Sequence, residues 1–330
     1  MNIGIIGIGR IGKIHLQNCL THFRKVKVLG AMNPSQSGRD YAAQMGVPLV
    51  TEDATELTSH PDIDAILVCS ATDSHAAYVE QAAKAGKALF CEKPLDLSLD
   101  RVRQTLALVS DCDVPLMLAF NQRFDPSFAE AKQRIASGDL GRIRSLRLIS
   151  RDPGPPPIAY IQRSGGMLMD MTIHDFDMAR HQLDSEVVEV YAQGANMVSE
   201  DIKAAGDIDF ASVVLTFANG AIATIENCRE TSYGYDQRME VFGSKGMIRV
   251  ENPVKTSTLL SSSTGTLGGK NLDFFMDRYA ESYRLELAAF FEALASGSPM
   301  PATGYDGLKA MEIAEAAMRS IAENRPVRLG

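Results

Sequence analysis

Over the first 120 residues, short unbroken apolar runs alternate with helical patterns. The runs are IGIIGI (3–8), VKVLGAM (26–32), AILVCS (65–70), ALFCE (88–92) and PLMLAF (115–120). Continuous apolar strands predict a sheet buried on both faces, hence parallel strands joined by crossover helices. Helical spacing fills the intervals, as in HAAYVEQAAKAG (75–86), closed by Gly86, and SLDRVRQTLALVS (98–110), opened by Ser98. The expected fold of residues 1–120 is a doubly wound nucleotide-binding α/β sheet.

From about residue 140 the period changes. RIRSLRLISR (142–151), SVVLTF (212–217), AIATIENCRE (221–230), RMEVFG (238–243) and MIRVEN (247–252) alternate apolar with polar residues. Period two predicts strands with one solvated or ligand-facing side, and Asn219-Gly220 and Ser244-Lys245-Gly246 supply hairpin turns. Residues 121–330 are thus expected to form an α+β domain with a large, mostly antiparallel sheet. Segment 256–269 reads as a mobile Gly/Ser-rich loop, and helical patterns return near 281–296 and 306–323.

One helical stretch carries unusual polarity. GGMLMDMTIHDFDMARH (165–181) has an apolar body, yet Asp170, His174, Asp177 and His181 recur at i, i+4, i+7 and i+11. In a continuous helix that spacing stacks them along one side. A metal site, a proton-transfer site and a solvated face all produce such a stripe.

Composition narrows the field. The 330 residues suffice for two cores, and 45% apolar with 22% charged residues is ordinary for a water-soluble protein. A net charge of −8 without basic blocks argues against nucleic acid or an anionic membrane as main partner. No apolar run approaches the roughly 20 residues of a membrane span. A strand-like start leaves no room for a signal peptide. Five scattered cysteines without a CxxC pair read as buried, reduced thiols. A cytoplasmic protein is expected.

GIIGIGRIGKIH places Gly7-x-Gly9-x-x-Gly12 directly after the first strand and before a helix. In that setting it reads as the dinucleotide loop of a Rossmann fold. Gly7 permits the turn, Gly9 admits the pyrophosphate and Gly12 allows close helix packing, with Arg10 and Ile11 in the same loop. The acidic residue that should hold the adenosine ribose about 20 positions later is replaced by Asn33. Asparagine still hydrogen-bonds a hydroxyl but does not repel a 2′-phosphate, which Ser35 and Arg39 could reach. NAD is the expected cofactor, with NADP the alternative.

GIGRIGKIH (7–15), CEKPL (91–95) and Asp170-x-x-x-His174-Asp175 together resemble the Gfo/Idh/MocA oxidoreductase family over nearly the whole chain. RIGKIH, FNQRFD (120–125) and YGYDQRMEVFGSKGMI (233–248) are most similar to its inositol 2-dehydrogenases. The resemblance implies that Ser70, Ala71, Thr72, His75, Glu92, Lys93 and Asn121 line the cofactor. It further implies that Lys93, Arg123, Arg151, Asp170, His174, Tyr235 and Tyr283 meet a polyol, and that a homotetramer or dimer forms through the open face of the second sheet. Helix capping, a solvated linker and plain packing are the competing roles for His75, Arg123 and the two tyrosines.

Oxidising a secondary alcohol requires a hydride acceptor, a proton acceptor and a cationic donor for the developing alkoxide. His174 titrates near neutrality and Lys93 can polarise the same oxygen, while Asp170 orients substrate or partner groups. Lys93, Asp170 and His174 are therefore the expected catalytic residues, with either His174 or Lys93 as first base. The expected reaction oxidises a cyclic polyol, myo-inositol to the inosose. A scyllo-inositol or sugar dehydrogenase is the alternative, and a non-catalytic NAD(P)-binding regulator is the reading from another class. No metal is expected, because Asp-x-x-x-His supplies two ligands where zinc needs a third. Asp177, about 10 Å along the axis from Asp170 at 1.5 Å per residue, is expected to be at most an orienting group, and His181 plain helix surface.

Overall fold

In β1 (Asn2–Ile6) the side chains of Ile3, Ile5 and Ile6 are fully buried, as a central strand covered on both faces requires. A computed structural model describes all residues, Met1–Gly330. Beside β1 run β2 (Lys27–Met32), β3 (Leu49–Thr51), β4 (Ala65–Val68), β5 (Ala88–Glu92) and β6 (Leu116–Ala119). All are parallel, in the order β3-β2-β1-β4-β5-β6. The crossovers contain α1 (Arg10–His22), α2 (Gln36–Gln44), α3 (Ala54–Thr58), α4 (His75–Lys84) and α5 (Leu99–Asp111). The order reverses between β1 and β4, which makes their C-terminal ends the topological switch point where such sheets bind ligands. Strand β3 lacks an apolar run because it has three residues, two of them half-buried, and the sequence did not announce it.

The next elements are α6 (Pro126–Ala136), β7 (Ile143–Arg151), α7 (Ile158–Ser164), α8 (Gly166–Asp170), α9 (Thr172–Leu183), β8 (Val187–Ala195) and α10 (Glu200–Ala204). They are followed by β9 (Phe210–Phe217), β10 (Ile222–Cys228), β11 (Asp236–Gly243), β12 (Met247–Val250), β13 (Leu260–Ser262), β14 (Gly265–Leu267) and α11 (Phe275–Arg278). The chain ends with α12 (Ala280–Ser296), α13 (Gly304–Glu323) and β15 (Val327–Arg328). Seven strands form one sheet in the order β12-β11-β7-β10-β9-β8-β15. Every neighbouring pair is antiparallel except β10 beside β7. Val213, Leu215, Ala223 and Ile225 are buried while Ser212, Val214, Ile222 and Thr224 are exposed, so the alternation read from the sequence sorts the two faces.

Two local expectations need correction. Segment 256–269 contains the hairpin β13/β14, with Leu260 opposite Leu267, because ladder hydrogen bonds use backbone groups and need no apolar periodicity. The stretch 165–181 is not one helix. It breaks at Met171 into α8 and α9, where the amide of His174 donates to Met171 O (3.3 Å). Asp170 and His174 therefore belong to different helices.

The chain divides into two compact units, Met1–Phe124 with Ser282–Met311, and Asp125–Glu281 with Glu312–Gly330. Segment 121–330 thus supplies most of α12 and the start of α13 to the first unit. The cause is apolar packing, since Leu287, Phe290 and Phe291 share a core with Ile3, Ile5, Phe90 and Met117. No helix is long and apolar enough to cross a membrane. Cys19, Cys69 and Cys91 are buried free thiols, whereas Cys112 and Cys228 are only half-buried.

Candidate functional site

Strand β1 runs into Gly7, whose φ of 98° is closed to other residues without strain. A Cβ there would strike the backbone of Cys69 and Ser70, and one on Gly12 would collide with the carbonyl of Gly7. Gly9 differs, because nothing lies within 4 Å of the place its Cβ would take. Gly9 is also the N-cap of the 13-residue helix α1, and no side chain caps that terminus. Unpaired N–H groups at the positive end of a helix, beneath a loop with room above it, suit a diphosphate. The residues present fit the pyrophosphate of NAD, with Arg10 exposed and Ile11 half-buried beside it.

Asn33 ends the region of β2 differently from the expectation. It is buried, its Oδ1 accepts from the Ile8 amide (2.8 Å), and its Nδ2 donates to Ser35 Oγ (2.7 Å) and Ser35 O (3.2 Å). The side chain thus braces the glycine loop with both its polar atoms, and an aspartate could not make the two donations. Ser35 Oγ caps α2 by accepting from Gly38 N. Arg39 donates to the carbonyls of Asn33 and Pro34 and pairs with Glu52 (3.3 Å). The neighbouring carboxylate offsets the cation that a 2′-phosphate would need, which favours NAD.

His75 is fully engaged within the protein. Its Nδ1 lies 2.8 Å from Pro94 O and its Nε2 lies 2.9 Å from Ser70 O. It therefore ties the turn after β4 to the Lys93-Pro94 segment, a positioning role in place of the expected contact. Ser70 Oγ pairs with Ser74 Oγ (2.8 Å), Ala71 is exposed, and Thr72 opens a 3₁₀ turn ahead of α4. Ser74, the N-cap of α4, makes no side-chain cap bond. Glu92 closes β5 and accepts from, or shares a proton with, His15 Nε2 at 2.7 Å. Half-buried Lys93 follows.

Asn121, just beyond β6, is buried with Nδ2 lacking a protein partner. Arg123 does not fit the expected substrate role as well. Its Nη1 donates to Pro301 O (3.0 Å) and its Nη2 pairs with Asp306 Oδ1 (3.0 Å). Burial pushes the Asp306 carboxyl up, but the Arg123 charge and the Thr303 hydrogen bonds outweigh it and bring the pKa down to about 2.

In the second unit, Asp170 accepts from Tyr160 OH at Oδ1 (2.8 Å) and meets Arg229 Nη1 at Oδ2 (3.5 Å). Arg229 is 1% exposed and lies 3.8 Å from Asp207, whose carboxylate accepts from the Met167 amide at the start of α8. Tyr160 and Arg229 carried no signal in the sequence, since both contacts are made by tertiary folding. The residue after His174 is more telling. Ser150, Asn227 and Gln237 stand in one row across β7, β10 and β11, and all three donate to buried Asp175, at 2.6, 2.7 and 3.3 Å. Burial raises its pKa to about 6 and these three hydrogen bonds hold the rise back. They clamp α9 to the sheet and present half-buried His174 from a fixed helix.

Asp177 is 1% exposed and so lies on no solvated face, whereas His181, expected as plain helix surface, is half-buried. Alternation puts Arg151 on the face opposite Ser150, where it pairs with Glu226 and with Asp236 (3.3 Å). A substrate contact beside Asp170 and His174 is therefore not supported for Arg151. Tyr235 precedes β11 and packs edge-on to Tyr279 (centroids 6.1 Å apart). Tyr283, buried on α12, packs edge-on to His15 (5.8 Å).

Residues 1–120 match the oxidoreductase family with an NAD-binding Rossmann fold, and residues 128–249 match the GFO/IDH/MocA C-terminal domain. The chain is 44% identical over 331 residues to myo-inositol 2-dehydrogenase of Thermotoga maritima, covering 100% of this chain and 98% of the relative. A solved myo-inositol dehydrogenase from Corynebacterium glutamicum superposes with a TM-score of 0.96 at 37% identity, covering 100% and 99% of the two chains. The scyllo-inositol dehydrogenase of Lactobacillus casei, solved with NAD(H) and scyllo-inositol bound, gives 0.92 at 29% identity, over 99% and 98%. With a glycine loop that fits the dinucleotide and similarity along its whole length, the chain belongs to the GFO/IDH/MocA family of NAD-binding oxidoreductases.

Proposed function

We propose that the protein is an NAD-dependent dehydrogenase that oxidises a secondary hydroxyl of a cyclic polyol, myo-inositol to the inosose. One observation carries the reading: a glycine loop fitted to NAD, Glu92-Lys93-Pro94 and the Asp170/His174 pair occur in a chain similar throughout to inositol dehydrogenases. Bound NAD supplies the acceptor for the hydride leaving the carbinol carbon. The hydroxyl proton passes either to His174, with Lys93 as the ammonium that stabilises the developing alkoxide, or to a neutral Lys93 amine that becomes that ammonium, and Asp170 fixes the ring hydroxyls. Tyr160 and Arg229 keep Asp170 oriented for that role. Asn121 Nδ2 donates to the cofactor, and Tyr283 and Tyr235 supply polyol contacts.

Similarity to the Lactobacillus casei enzyme supports scyllo-inositol as a second substrate class. The oligomer proposed is a homotetramer or homodimer built on the outer face of the seven-stranded sheet, where Val188, Tyr191, Val214, Ile222, Phe242 and Met247 are exposed. Free thiols fit a cytoplasmic setting. A panel of cyclic polyols and aldoses, followed by nicotinamide absorbance with NAD and with NADP, tests the proposal. Inositols turned over with NAD is the expected result. Tight NAD binding without turnover of any polyol or aldose would instead favour a regulator.

A further inference from the structure

His15 of α1 and Glu286 of α12 are both completely buried. His15 Nε2 lies 2.7 Å from Glu92 Oε1 and 3.9 Å from Glu286 Oε1. Phe90 and Tyr283 close on the imidazole edge-on, with centroids 5.2 and 5.8 Å away. His15 Nδ1 and both carboxyl oxygens of Glu286 have no hydrogen-bond partner. Burying two carboxyl groups and an imidazole in an apolar core costs several kcal/mol where pairing is incomplete, and neighbouring Leu287 and Phe290 show that the core itself needs no polar group here. A destabilising cluster at the end of a cofactor-binding strand points to a task.

We propose that His15, Glu92 and Glu286 form a buried positioning device for Lys93 and Tyr283. In it the imidazole pairs with the Glu92 carboxyl brought by β5 and stands beside the Glu286 carboxyl brought by α12, and so sets the two segments that carry the active groups against each other. The proposal rests on the reading of Lys93 as a proton-handling residue. Glu92 is peptide-bonded to Lys93, and Tyr283 precedes Glu286 by three positions on α12 and packs on the same imidazole. Burial, then the charge of Glu92, pushes the Glu286 carboxyl well above the usual range. The thiols of Cys69 and Cys91 are also pushed up by burial and by Glu92.

The test compares His15→Leu, Glu286→Leu and Glu286→Gln with Lys93→Met in the full-length protein, reading kcat, KM for the polyol and Kd for NAD. The two leucine variants should lower kcat by about tenfold to a hundredfold, the scale of an ångström-sized misplacement, and raise KM for the polyol, with NAD affinity kept. Glu286→Gln should recover most of the loss, because the amide keeps the shape and a donor. Unchanged kcat in the leucine variants would overturn the proposal. So would a parallel loss of NAD affinity, which marks a merely structural role, or a stoichiometric divalent metal whose chelation removes activity. If His15→Leu does not fold, the contrast between Glu286→Gln and Glu286→Leu decides. An active Lys93→Met variant would refute the reading of Lys93 itself, whereas an inactive one beside fully active leucine variants refutes only the positioning device.

Discussion

Single side chains carry the sharpest expectations. Replacing Lys93 by Met or His174 by Ala should each lower kcat by about 10²- to 10⁴-fold, the usual share of general acid–base groups, with NAD binding retained in a titration of cofactor fluorescence. Asn33→Asp introduces a carboxylate where the amide now donates to Ser35, so it should weaken NADP relative to NAD by about tenfold or more in kcat/KM, as a like-charge contact costs several kcal/mol. The need for glycine at positions 7 and 12 was legible in the sequence because turn chemistry is local. The commitments of His75 to Pro94 and Ser70, and of Arg123 to Asp306, were not. Both look like ligand-facing polar residues until the fold brings their buried partners to them.

At the scale of elements, α9 shows how one buried acid sets a helix. The folded pKa of Asp175, about 6, lies above its ordinary value of 3.8, so folding favours its protonated form. The stability this group contributes is full below that ordinary value and is lost as pH rises through the folded one. The difference amounts to about 3 kcal/mol over two pKa units. Denaturant midpoints should therefore fall across that window in the wild type, and Asp175→Asn should flatten the fall. An unchanged pH slope in the variant would contradict the burial argument. Asp306 acts with the opposite sign and in a more acidic window, since its pKa is about 2 in the fold and its stabilisation is lost as pH falls through that value. The break at Met171 was invisible in the sequence because the apolar body continues through it, and a helical period reports a face rather than a continuous ladder. Arg229 was invisible too, since a lone arginine after a strand does not reveal that it is buried against Asp170.

For the whole molecule, the two sheets were legible because their periods differ. The course of the chain was not, because the apolar pattern of α12 is the same whichever core receives it, and Leu287, Phe290 and Phe291 complete the first. The exposed apolar positions of the second sheet lead to a further expectation. Light scattering should give a dimer or tetramer, and Val214→Asp with Phe242→Asp should shift it to smaller species. In the proposed reaction hydride leaves the carbinol carbon of a cyclic polyol for NAD. Its most direct test is turnover of myo-inositol deuterated at that carbon, with NADH recovered for mass analysis. Deuterium on the nicotinamide is the predicted result, and unlabelled NADH, or none formed while NAD remains bound, would contradict it.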